Sequence, residues 1–219
     1  MAHGALDGNG AGISKDGVNS GGSYMSCPNV EWMELHYPLL YLFRRHAKDS
    51  AGAGVFRGGV GVESAHILHD APEGKLRGVA YGVAGLRNSG HGIFGGYPGA
   101  PSLMALMTNT RVQELMEMNR SPVDISEFGG SSRSLPYCNF ELGRTDVLYM
   151  RVASGGGYGD PLERDPLRIQ EDVKNGLVSI EAARSIYGVE LDKVTRNVDL
   201  AATQELRKAI RESEITELK

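Results

Sequence analysis

Several of the common marks of a specialised chain are missing from this sequence. Its 219 residues contain no run of about 18 apolar side chains, so no membrane span is expected. The opening residues, MAHGALDGNGAG, lack a positive region followed by an apolar one and do not read as a secretory signal. Positive charge is not in excess: 23 Lys and Arg against 27 Asp and Glu leave a formal net charge of −4. The basic residues are scattered, which argues against a nucleic-acid groove. Cysteine is scarce, with Cys27 and Cys138 far apart and no C-x-x-C spacing. Reduced thiols in a cytoplasm are therefore expected, and a zinc site built on them is not. No nucleophile elbow, P-loop or H-E-x-x-H occurs, so no recognised motif on this chain binds ATP.

What the chain does have is a core's worth of apolar residues and a great deal of glycine. Hydrophobic residues make up 41% and charged residues 23%, as in an ordinary globular protein. The 30 glycines fall mostly before residue 160 and interrupt the apolar runs there. Glycine costs about 1 kcal/mol in a helix interior, so this pattern suits short strands and many turns. An α+β fold is expected, with a Gly-punctuated β-rich body over 31–160 and a helical tail over 161–219. Residues 1–30 hold few large apolar side chains and read as a Gly-rich arm ordered by partners.

Within the body, Pro38 breaks VEWMELHYPLLYLFRRH and an extended segment follows it. A turn over Asp49–Gly54 precedes an alternation of Val60, Val62 and Ser64 with Gly61, Glu63 and Ala65, which predicts a half-buried strand. Residues 76–86 read the same way. PSLMALMTNTRVQELMEMN (101–119) is ambiguous, because Leu103, Leu106 and Met107 have helical spacing, as do Val112, Leu115 and Met116. Its methionine-rich face suits a core or a subunit interface. LPYCNFEL and DVLYMRVAS look like a closing antiparallel pair. In the tail, Asp165 caps a helix with Pro166 at its first position and Gly176 after its end. Ser179 caps a second, short helix ending before Gly188. Asp199 opens a third, with Leu200, Thr203, Leu206 and Ile210 on one side.

Four stretches then stand in order: VEWMELHYPLL, DSAGAGVFRGGVGVE, HGIFGGYPGAP and SGGGYGDPLERDPLRIQEDVKNGLVSIEAARSIYGVEL. Together they resemble the C-terminal part of the hydantoinase B family, over residues 12 to 192. That family includes B-type subunits of ATP-dependent hydantoinases and oxoprolinases and related subunits of acetone and acetophenone carboxylases. Its members are far longer, so the resemblance implies a split subunit or a fragment that is not active alone. The implied partners are an A-type subunit, which handles ATP and a divalent metal, and the missing N-terminal B-type portion. The implied function is a share in an ATP-dependent ketone carboxylase. A cyclic amidohydrolase acting on a hydantoin or 5-oxoproline, and a purely scaffolding subunit, are the alternatives. Two departures stand out: Leu135-Pro136 is followed by Tyr137 and Cys138 where members commonly carry a Lys. The usual Pro-Gly-Asp turn is replaced by Arg144-Thr145-Asp146.

The candidate catalytic residue is His91, in SGHGIFGG. Flanking glycines let its imidazole approach a substrate, and histidine is the side chain whose reference pKa of about 6.5 suits proton transfer. A loop histidine bonded to a backbone carbonyl is the competing reading. Arg57, Gly58 and Gly59 are candidates for substrate or phosphate contact, a guanidinium beside flexible N–H groups being able to hold a carboxylate or phosphate. Arg57 could equally tie loops to carbonyls. His66 and His69 have a spacing that would serve a metal on a helix, but on a strand it puts them on opposite faces. No metal is expected on this chain. SGGGYGDP is either a tight connector or a loop brought close to a ligand.

Overall fold

A computed structural model describes residues 7–21, 28–80, 90–122 and 124–217, with side chains to residue 213. Asn29 caps a short helix, α1 (Val30–His36), by accepting from Trp32 N. The chain then extends at Pro38 into β1 (Leu39–His46) and returns in β2 (Val62–Leu68). There follow β3 (Lys75–Ala80), β4 (Leu103–Thr108), α2 (Val112–Glu117), β5 (Ser131–Ser134), β6 (Cys138–Gly143) and β7 (Val147–Arg151). The expectation for 76–86 can be judged only to Ala80, since 81–89 lie outside the described residues.

The strands form a five-stranded antiparallel sheet in the order β1-β2-β7-β4-β5 and a separate two-stranded ribbon, β3-β6. Successive residues of the central strands face two different cores. Leu148 joins Leu39, Leu68, Leu106, Leu135 and Leu142 on the face shared with the ribbon. Its neighbours Val147 and Tyr149 join Ile67, Met107, Val112 and Phe128 on the other, beneath α2 and a 3-10 turn at Ile125–Phe128. A strand covered on both faces reads as a continuous apolar run, because period two shows only when one face meets water. That is why 101–119 gives a mixed signal: it divides into strand β4 and helix α2. It also corrects the closing pair. β6 pairs with β3, and β7 with β2 and β4, so the two segments lie in different sheets.

The tail consists of α3 (Pro166–Lys174), α4 (Ile180–Ser185) and α5 (Leu200–Glu217). Asp165 and Ser179 cap the first two, and Asp199 Oδ1 accepts from Ala202 N at 3.0 Å at the start of the third. Ile169, Val173, Val178, Ala183, Tyr187 and Val189 pack with Ala53 of the body. Arg207 of α5 donates to the carbonyls of Tyr187 and Arg164, fastening the last helix to the tail. None of the described helices is long and apolar enough to cross a membrane.

The glycine-rich segments form neither sheet nor helix. Residues 152–157 lie outside strand and helix and are bonded to three other segments. Ala153 and Gly156 accept from Gly8 and Ala11; Gly155 donates to Gly59 and accepts from Gly52; Gly157 donates to Tyr97 and accepts from Ile93. A strand in a sheet has two neighbours, whereas this stretch has three. A Cβ on Gly155 would lie 1.8 Å from Asn9 O, on Gly156 2.1 Å from His91 O, and on Gly157 2.0 Å from Ala53 O. Three consecutive residues thus face three different backbones, and no side chain fits at any of them. The described part of the N-terminal arm belongs to this bundle and is held by this chain's own carbonyls and N–H groups.

Candidate functional site

Where the arm, the bundle and the tail meet, four charged side chains interlock. Arg57 donates to Asp172 through Nε at 3.3 Å and Nη2 at 3.1 Å. Arg164 donates to the other side of the network: Nη2 reaches Asp172 Oδ2 at 2.8 Å, and its two terminal nitrogens grip Asp16 at 2.6 and 2.8 Å. Both guanidiniums are buried, at 4% and 1% exposure, so they depend on this pairing. Arg57 Nη1 donates to Asn19 Oδ1 and Gly58 O, and Arg164 Nη1 also to Val55 O. Burial pushes the Asp16 carboxyl up. The hydrogen bonds and charge of Arg164, with the N–H and charge of Arg57, outweigh that and hold it below the usual carboxylate range. Burial likewise opposes the charge on Arg164, and its two carboxylate partners raise its pKa in spite of it.

A cleft of about 290 Å³ opens over this network, lined by Lys15, Asp16, Arg164, Arg168, Glu171 and Asp172. Three cations and three carboxylates line it, so it offers neither a net anion site nor a carboxylate cluster for a metal. Among the described residues no group of three or more His, Cys, Asp and Glu is placed to hold a metal ion.

The donors expected to hold an anion are engaged inside the chain. Four contacts occupy the Arg57 guanidinium, Gly58 N donates to Gly52 O at 2.9 Å, and Gly59 N donates to Asn9 O at 2.7 Å. The geometry gives these three residues the task of joining segments. His91 is placed differently. Its carbonyl is packed against Gly156, while its side chain is exposed and makes no hydrogen bond among the described residues. His66 is buried in β2, edge-on to Tyr41 at 4.2 Å with Nδ1 3.3 Å from Leu148 O, and His69 lies exposed beyond the strand end.

Asp16, Arg164 and Asp172 are not singled out by sequence reasoning. Arg164 and Asp172 sit in an ordinary capped-helix context, and Asp16 meets Arg164 across 148 positions, which leaves no local signature. A second feature also escapes it. Beyond the cleft Arg168 lies over the Phe56 ring at 5.7 Å, Phe56 faces Tyr158 at 6.5 Å, and Tyr158 faces Phe94 at 5.3 Å. This aromatic row ends in the exposed tip that follows His91.

A family model described as hydantoinase B/oxoprolinase matches residues 3–161. The chain is 31% identical to the acetophenone carboxylase delta subunit of Aromatoleum aromaticum, over 93% of its own length and 32% of the relative's. Its fold superposes on a nucleotide-free acetone carboxylase structure with a TM-score of 0.81 at 26% identity, covering 97% of this chain and 30% of that one. Against the ATP-dependent caprolactamase of Pseudomonas jessenii the TM-score is 0.68 at 26% identity, with 93% and 33% covered. The chain therefore spans about a third of the length of the relatives it matches.

Proposed function

The chain belongs to the hydantoinase B/oxoprolinase family, and from that premise we propose that it serves as one part of a B-type subunit in a multi-subunit, ATP-dependent ketone carboxylase. The observation that carries the choice of reaction is the superposition on acetone carboxylase over nearly the whole chain, closer than that on caprolactamase. In this reading ATP and a divalent metal are held by an A-type partner, and the rest of the B-type chain supplies most of the reacting groups. This chain contributes a rigid glycine bundle that locks the helical tail to the sheet. It also contributes one side chain suited to proton transfer, His91, whose backbone is fixed and whose ring is open to a neighbour.

The second reading, opening of a cyclic amide, is favoured by the 31% identity to the caprolactamase beta subunit over 83% of the chain. Purified complex containing this chain separates the two. ATP hydrolysis that requires bicarbonate and a small ketone is the expected result, and hydrolysis that requires a cyclic amide would transfer the chain to the amidohydrolase reading.

A further inference from the structure

The tip at residues 93–97 places large apolar side chains in water. Ile93 is 51% exposed, Phe94 78% and Tyr97 48%, although five residues on a surface loop have no need of any of them. Phe94 is also held at φ 53°, in the left-handed region that a bulky side chain avoids. The backbone beneath is not free to relax. Ile93 N donates to Gly157 O at 3.1 Å, Gly96 N to Ile93 O at 3.0 Å, and Gly159 N to Ile93 O at 3.0 Å. The bundle therefore presents a fixed aromatic peg, in a costly conformation, with one side of its ring against Tyr158 and the rest uncovered.

We propose that this tip is the anchor by which the chain docks on the remaining two-thirds of a hydantoinase B-type chain, in an apolar socket of that portion. The inference rests on the family reading above. The chain matches about a third of its relatives' length over nearly all of its own, so a surface of this chain has to meet the remaining portion. A rigid aromatic side chain, ordered in advance and flanked by smaller apolar groups, is the kind of residue that dominates such contacts. Docking there also sets His91, two residues before Ile93, at the same junction.

The test is Phe94→Asp, because Asp tolerates a left-handed φ and should leave the chain's own fold undisturbed. Affinity for a separately produced upstream portion of the B-type chain is measured by calorimetry, with hydrogen exchange on the wild-type mixture. We expect at least a 10-fold loss of affinity, a melting temperature of the free chain equal to or above that of the wild type, and protection of 93–97 on mixing. Met118→Asp, a change at an exposed apolar site on α2's end, should bind as the wild type does. Wild-type affinity in Phe94→Asp, or unprotected tip amides in the complex, would overturn the proposal. So would self-association of the wild-type chain that Phe94→Asp abolishes, since the occupant would then be a second copy. Should Phe94→Asp fail to fold, the exchange result alone decides. Binding without any ATP-dependent turnover would leave the docking intact and reject the proposed reaction.

Discussion

Arg57 and Asp172, 115 positions apart, share two hydrogen bonds inside the protein. That pair, extended by Arg164 and Asp16, ties the arm, the bundle and α3 together by charge. Removing Asp172 leaves the buried Arg57 guanidinium without a bonded carboxylate and Arg164 with Asp16 alone. Asp172→Ala should therefore lower stability by about 3–5 kcal/mol in urea unfolding. A loss below about 1 kcal/mol would mean that the network is incidental, as most exposed ion pairs are.

The same network sets an acid limit. Asp16 has a carboxyl pKa below its unfolded value, so its contribution is present above about pH 4 and is lost as pH falls through the lowered folded value. Melting temperature should fall in that acid window for the wild type, and Asp16→Asn should flatten that part of the profile while lowering stability at neutral pH. Parallel acid profiles for the two proteins would remove Asp16 from the account.

Glycine substitutions distinguish two reasons for the residue. Gly176 has φ +73° and nothing within 4 Å of where a methyl group would sit, so Gly176→Ala should cost about 1–2 kcal/mol, the penalty of the left-handed backbone. Gly156 has no such φ but faces His91 O at 2.1 Å, so Gly156→Ala must push two backbones apart and should cost more than Gly176→Ala. Thermal melts of the two variants rank them directly.

Much of this is legible in the sequence and some is not. Asp165-Pro166, Ser179 and Asp199 announce their helices because caps act within a few residues. The strand after Pro38 is equally local. The alternation of Val60, Val62 and Ser64 finds a strand from Val62 but not its burial, because β2 is covered on both faces from Ser64 to Leu68. Helix α1 has no counterpart in the sequence reading, which places an element only after Pro38, although Asn29 with Glu31 in the first turn is a cap signal. The role of Gly155, Gly156 and Gly157 depends on three partners from distant parts of the chain. Packing of bare backbone on bare backbone leaves no hydrophobic pattern to find. The network of Arg57, Asp172, Arg164 and Asp16 is hidden for the same reason of range.

His91 has an open ring on a fixed backbone, so its removal should not disturb folding. His91→Ala is expected to lower turnover of the assembled enzyme about 10²-fold with an unchanged melting temperature. Unchanged turnover would return His91 to a loop residue without a part in proton transfer.

The proposed reaction is tested most directly by the fate of labelled bicarbonate in the assembled complex. With ATP and a small ketone, label should enter an acid-stable carboxylate, and omission of this chain should abolish its appearance. Label that stays acid-volatile while the same complex opens a cyclic amide at the expense of ATP would contradict the account.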